Sequence, residues 1–256
     1  MIQRVTAVAL NTFRETVRDR IFYLVAIFGL ILLASSALLS PLTIGAQGKI
    51  VADVGLGSLA LFGLLVAVFV GSGMLRKELD KRTITTILTK PVSRLEYLLG
   101  KYAGLTLTLL CMLAAMVLLF LLVTLVTPAT FSARYLAAVY LIFWELLLLN
   151  GAVVLFSTFV SPVLAMVFTL GLFAIGHLSE DILSFGQLMG GAVQATASRV
   201  IYYLVPNLEI FNARGLVVHG GTVSAAHLGL ATLYGFCYTA LLIVLAAGIF
   251  ARKELK

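Results

Sequence analysis

Residues 76–101 read RKELDKRTITTILTKPVSRLEYLLGK, and seven of the chain's eighteen Lys and Arg residues fall within them. Long apolar runs flank this segment, from about Val54 to Leu75 and from about Tyr102 to Thr127. Each is long enough to cross a bilayer as a helix, for which ~20 residues suffice. Ionised side chains are costly in hydrocarbon, so the segment between the runs has to lie in water. It is therefore a basic loop joining two membrane spans, and its charge defines one side of the membrane.

Composition agrees. Of 256 residues, 61% are hydrophobic and only 11% are charged, and the mean hydropathy is +1.11. Soluble domains carry about 25% charged residues. The apolar runs do not alternate with polar positions, which excludes barrel strands and leaves helices. The formal net charge is +7. Its basic residues sit beside apolar runs, a pattern that sets membrane orientation and suits anionic lipid headgroups. No basic groove interleaved with aromatics marks nucleic acid as a partner. Cys111 and Cys237 both lie in apolar runs, with neither a disulfide framework nor metal-ligand spacing.

The expected fold is an all-α polytopic membrane protein forming one domain over residues 1–256. Six spans are expected, at about 21–40, 54–75, 102–127, 135–160, 163–177 and 225–250. Ahead of them, residues 3–20 place Val5, Ala9, Phe13 and Val17 on one helix face, with Arg4, Asn11, Arg14, Glu15 and Arg18 mostly opposite. That pattern suits an amphipathic helix in the headgroup plane, or equally a helical lead-in to the first span. A cleaved signal peptide is disfavoured, because the run that follows is span-length. Pro41, Gly45, Gln47, Gly48, Lys49 and Asp53 read as a short polar loop. Gly63, Gly71 and Gly73 in the second run permit close helix approach or a local bend. Residues 178–224 form a second polar region. Gln187, Gln194 and Arg199 argue against a seventh span from Leu183 to Val205, which reads as interfacial or re-entrant helix.

Six spans put both termini on one side. Arg4, Arg14, Arg18, Arg20, the seven basic residues of 76–101, and Arg252, Lys253 and Lys256 then share that side, fourteen of eighteen. Lys49, Arg134, Arg199 and Arg214 fall opposite. The positive-inside rule makes the first side cytoplasmic, in the cell's inner membrane.

Within the basic loop, Ile84, Ile87 and Leu88 form a short helical apolar stripe. Pro91 ends that helix by disfavouring the helical conformation at Lys90. Ser93 and Glu96 form a capping box that starts the next helix. Gly100 and Gly104 make a small-xxx-small pair where it enters the membrane. Neither a phosphate-binding Gly-Lys loop nor a dinucleotide fingerprint occurs, and no Cys/His cluster suggests a metal. His177, His219 and His227 are scattered and read as helix-end or interfacial residues. Glu145 is the one acidic residue near the middle of a span. It either lines a translocation path or holds helices together through a proton or hydrogen bond. Asn150 lies about 140° further around the same helix, so the two share a face only loosely. No catalytic constellation is visible.

Four features together resemble the permease subunits of type-2 ABC exporters, the ABC-2 family. They are FRETVRDRIF ending the N-terminal segment, the second run continuing into KELDKRTITTILTKPVSRLEYLLGK, the six-span pattern, and VPNLEIFNAR before the last span. TITTILTKPVSRLEYLLGKYAG is the most specific of these, and the likeness covers essentially the whole chain. It is similar to the compact branch that includes the nitrous-oxide-reductase accessory permease. The resemblance implies two ATPase subunits, which bind ATP and magnesium, and a second permease copy, identical or homologous. It also implies that Arg82, Thr83, Ile84, Ile87, Leu88, Lys90 and Pro91 belong to a coupling helix seated in the ATPase, over residues 82–91. Residues 3–20 become a connecting helix, and 178–224 become helices closing the outer mouth. No large extracellular domain is present to offer a docking surface.

The expected function is export of an unidentified, hydrophobic or amphiphilic substrate by a non-enzymatic permease, driven by that separate ATPase. Two alternatives remain open. One is a subunit that relays ATP-driven motion across the membrane without transport. The other is a membrane-embedded enzyme using Glu145 or the His177–Asp181 neighbourhood.

Overall fold

The computed structural model describes residues 2–18, 22–39, 47–80, 93–126, 132–188 and 191–252. Among them every regular element is helical, and no strand occurs. The elements are α1 (Ile2–Arg18), α2 (Phe22–Leu39), α3 (Gln47–Asp80), α4 (Arg94–Val126), α5 (Arg134–Ser157) and α6 (Pro162–His177), then α7 (Ser179–Leu188), α8 (Ala192–Leu204), a 3-10 turn (Glu209–Phe211), α9 (Arg214–Val218) and α10 (Ala225–Arg252). Within the described residues, α3, α4, α5 and α10 are each long and apolar enough to cross a membrane. A fifth crossing is possible if α6 and α7, which meet at a 61° bend, act as one broken span. The apolar stretch Val25–Ala34 in α2 is shorter.

The bundle is built around α5. This helix packs against α3, α4, α6, α9, α10 and the 3-10 turn, and every residue from Glu145 to Leu155 is buried. A helix apolar on all sides belongs in the middle of a bundle. Two glycines of α3 let it come close. A Cβ at Gly63 would strike Leu146, and one at Gly71 would lie 2.5 Å from a Val153 methyl. By contrast, Gly73 faces open space. Ser161 is extended, with ψ 157°, and Pro162 occupies the first turn of α6. There the missing N–H of proline costs nothing, because no partner awaits it.

The expected loop around Lys49 and Asp53 is instead the first turns of α3. Val51, Ala52, Gly55 and Leu56 keep helical spacing and bury one face, while Lys49 and Asp53 point outward. Helical periodicity outweighed the local polarity. The 183–205 region is neither a span nor a single helix. It is a helical hairpin, with α8 folding back on α7.

α1 does not rest only on its most apolar face. Thr12 and Thr16 are its fully buried residues, and Val5, Val8 and Ala9 continue the same side, half-buried. This side packs on α4 where Gly100 and Gly104 lie. A Cβ on Gly100 would come within 2.6 Å of Val8 Cβ, and one on Gly104 within 2.6 Å of the Ala9 carbonyl oxygen. The two backbones therefore touch, as small residues allow. Phe13 and Val17 lie beside the contact, half-buried.

Replacing Gly104 with Val should separate α1 from α4. Overpacking of this kind costs about 1–3 kcal/mol. The expected outcome is faster protease cleavage within residues 2–18 and a lower unfolding temperature in detergent, with the cleavage pattern of α5 unchanged.

Candidate functional site

One end of the bundle carries the start of α4, held there by a helix cap and by contacts with α1 and α10. Ser93 N–H donates to Glu96 Oε2 at 2.9 Å, and Glu96 N–H donates to Ser93 Oγ at 3.2 Å. These reciprocal bonds satisfy two N–H groups that a helix start leaves without partners. Arg4 Nη1 of α1 lies 3.7 Å from that same Glu96 Oε2. Arg94 Nη1 donates to the carbonyls of Phe250 and Ala251 at 3.0 and 2.8 Å. It thereby caps the end of α10, where carbonyls lack helical partners and the helix dipole favours a cation. Tyr97 stacks on Phe250 with ring centres 6.1 Å apart, and Lys101 Nζ stands 5.6 Å above the Tyr97 ring, a cation–π distance. The beginnings of α1 and α4 and the end of α10 thus form one rigid corner. Arg82, Thr83, Ile84, Ile87, Leu88, Lys90 and Pro91 lie outside the described residues; the chain that contains them joins this corner to the end of α3.

The opposite end carries the VPNLEIFNAR motif. Asn207 is buried, and its Oδ1 accepts from Glu209 N–H at 2.9 Å. This is a local turn that starts the 3-10 helix. Asn207 Nδ2 donates to Glu180 at 3.0 Å, and its backbone N–H donates to Tyr234 Oη at 2.8 Å. Asn212 bridges two charges: its Nδ2 donates to Glu209 Oε1 at 2.8 Å, and its Oδ1 accepts from Arg214 Nε at 3.1 Å. Leu208 and Phe211 are buried. Leu208 N–H donates to the Gly176 carbonyl at 3.0 Å, and a Cβ at Gly176 would meet Leu208 Cγ at 2.7 Å. The motif is a plug seated on the end of α6. At the same end, Arg134 donates to the Gly220 carbonyl.

Beneath the plug lies Glu145, only 3% exposed. Its Oε1 is 3.6 Å from His177 Nε2 on α6. The other ring nitrogen, Nδ1, sits 3.2 Å from the Phe173 carbonyl, and the ring packs on Phe173 with centres 4.5 Å apart. Asn150 turns elsewhere. Its Nδ2 donates to Thr106 Oγ1 at 3.2 Å on α4, so Glu145 and Asn150 serve different interfaces. Asp181 is exposed, and no hydrogen bond or ion pair links it with His177. Sequence reading left His177 as a helix-end histidine, because its partner lies thirty-two positions away on another helix. No group of three or more His, Cys, Asp or Glu among the described residues could hold a metal ion.

These features define a polytopic helical membrane protein whose polar chemistry lies at two ends of one buried core. The chain belongs to the ABC-2 family: the model described as ABC-2 family transporter protein matches residues 6–255. It is accordingly a membrane permease subunit of an ABC transporter, the transmembrane component rather than the ATP-hydrolysing one. No curated protein matches the chain.

Two substitutions test the two ends. Arg94→Ala should free two carbonyls at the end of α10 and cost about 0.5–1.5 kcal/mol for each bond lost. The readout is increased hydrogen exchange in residues 246–252. Asn207→Ala should leave the Glu209 N–H without its acceptor and cost about 1–3 kcal/mol. Thermal unfolding in detergent should show the loss, and Asn207→Asp should not restore it, because the new carboxylate replaces the Nδ2 donor facing Glu180.

Proposed function

We propose that this permease spans the inner membrane six times, with both termini cytoplasmic. Its spans are α2, α3, α4, α5, α6 with its bent continuation, and α10. The geometry supports this reading. Arg4, Arg94 and the end of α10 share one end of the bundle, while Arg134, Gly220 and the plug share the other. The positive-inside rule then assigns the basic end to the cytoplasm.

The chain exports a hydrophobic or amphiphilic substrate, and a separate ATPase supplies the energy. Two ATPase subunits act on two permease copies, identical or paired with a homologue, and ATP and its magnesium ion bind in the ATPases. The segment from Arg82 to Pro91 is the coupling element, with Ile84, Ile87 and Leu88 as its grip. The observation that carries this reading is the rigid corner of α1, α4 and α10. A push delivered between α3 and α4 reaches a helix start already fixed to two neighbours. It therefore moves helices as bodies instead of bending a loop. The TITTILTKPVSRLEYLLGKYAG stretch supports placement in the compact branch resembling the nitrous-oxide-reductase accessory permease. Glu145 is sealed between α5 and α6 in this conformation, which favours its role in holding helices over lining an open path.

Ile87→Asp and Leu88→Asp place a charge on the gripping stripe. The expected outcome is loss of co-purification with the ABC ATPase that accompanies the wild-type chain, with an unchanged unfolding profile for the permease alone. Undiminished co-purification of both variants overturns the coupling assignment.

A further inference from the structure

We propose that α4, α5 and α10 enclose a binding site for one water molecule, held by Asn150, Thr239 and Tyr102, which joins α10 to the core. The inference does not depend on the ATPase, on the substrate or on the orientation in the membrane.

Two buried polar atoms lead to the site. Asn150 is fully buried, and its Oδ1 has no hydrogen-bond partner within the protein. Turning the amide over does not relieve this. Its Nδ2 donates to Thr106 Oγ1 at 3.2 Å and lies 3.5 Å from the Tyr102 carbonyl oxygen, which can only accept. Thr239 of α10 is 8% exposed, and its Oγ1 also has no partner. A helical threonine commonly bonds back to its own backbone. Thr108, Thr169 and Thr232 do so, donating to the carbonyl four residues before at 3.0, 2.8 and 2.7 Å. Thr232 belongs to α10 itself. Thr239 breaks this habit, so its hydroxyl is open to a partner outside its own helix.

The two atoms border one space. α10 packs on both α4 and α5. Gly151 follows Asn150, and a Cβ there would lie 3.6 Å from Thr239 Cγ2 and 3.6 Å from Leu242 Cδ1. These are ordinary contact distances, so the helices leave room for a group the size of a methyl. At Gly63 and Gly71 they leave none. Tyr102 Oη enters the same turn of α5, donating to the Leu147 carbonyl at 3.2 Å. It faces the Thr239 side chain without a hydrogen bond to Oγ1.

The chemistry of these groups selects water. A buried polar atom without a partner bears its full desolvation penalty. Buried waters typically make about three bonds to such atoms. A water here donates to Asn150 Oδ1 and to Tyr102 Oη, whose own proton is committed to Leu147, and accepts from Thr239. None of the three side chains carries a charge, so nothing in the set favours an ion. Hydrocarbon supplies no water, but protein closing around the site during assembly retains one.

The deciding experiment is a crystal structure of the full chain, grown in a lipidic mesophase and resolving ordered waters. The expected result is one water within hydrogen-bond distance of both Asn150 Oδ1 and Thr239 Oγ1. The proposal is overturned by no water at that position or by a water touching only one of the two atoms. It is equally overturned if Thr239 Oγ1 is bonded directly to Tyr102 Oη or to the Gly235 carbonyl. Thermal unfolding in detergent gives an independent sign through Thr239→Val, which keeps the shape and removes the hydroxyl. With the water bound, the variant takes away one of its bonds, and the midpoint shifts down by a few degrees. With the hydroxyl merely unpaired, its removal relieves a penalty, and a midpoint that is unchanged or raised overturns the proposal. Should Thr239→Val fail to fold, the wild-type crystal structure decides alone.

Discussion

Everything in this bundle answers to one constraint. Inside a bilayer, a polar group finds no water and must be satisfied by protein. The buried helix α5 feels this most, since it carries Glu145 and Asn150 within a run of eleven buried residues. Each has its own answer. Glu145 faces His177 on α6 beneath the plug, and Asn150 faces Thr106 on α4. The neighbours of α5 give Glu145 and the Asn150 Nδ2 polar partners, while Asn150 Oδ1, Trp144 Nε1 and Ser157 Oγ of the same helix are buried without a hydrogen bond. A helix that must satisfy polar groups in two directions cannot turn about its axis or slide without losing one of them. That makes α5 the fixed axis against which other helices can move.

The two ends of the molecule are built differently, in keeping with different tasks. At the basic end, contacts run between elements far apart in sequence. Arg94 reaches the last turn of α10, Arg4 reaches Glu96, and two glycines admit the backbone of α1. Such contacts tie separate helices together. At the other end, residues 205–214 combine internal bonds with bonds to Glu180, Tyr234 and Gly176. Asn207 starts its own 3-10 turn, and Asn212 bridges Glu209 to Arg214.

Several features were legible from sequence because they are local. The capping box of Ser93 and Glu96 is a pattern within four consecutive residues. The loop expected around Lys49 and Asp53 failed for an instructive reason. Two outward-facing charges do not break a helix whose inner face remains periodic. The N-terminal segment shows the complementary limit. Its apolar positions suggest a face for lipid, yet small Thr12 and Thr16 are the buried residues, because glycines on another helix admit them. That preference belongs to the partner, not to the segment.

What sequence determined by itself was the helical class, the membrane setting and the division of charge between two sides. These depend on hydropathy and charge, which add along the chain without regard to what folds against what. Tertiary structure decided which polar residues meet. His177 and Glu145 are paired, Asn150 is turned away, and the plug motif is seated over α6. Those outcomes depend on helix rotation and on the angle at the α6–α7 bend, and both are set by packing against neighbours. Hydropathy is a property of a residue, whereas a polar partnership in lipid is a property of two helices in register.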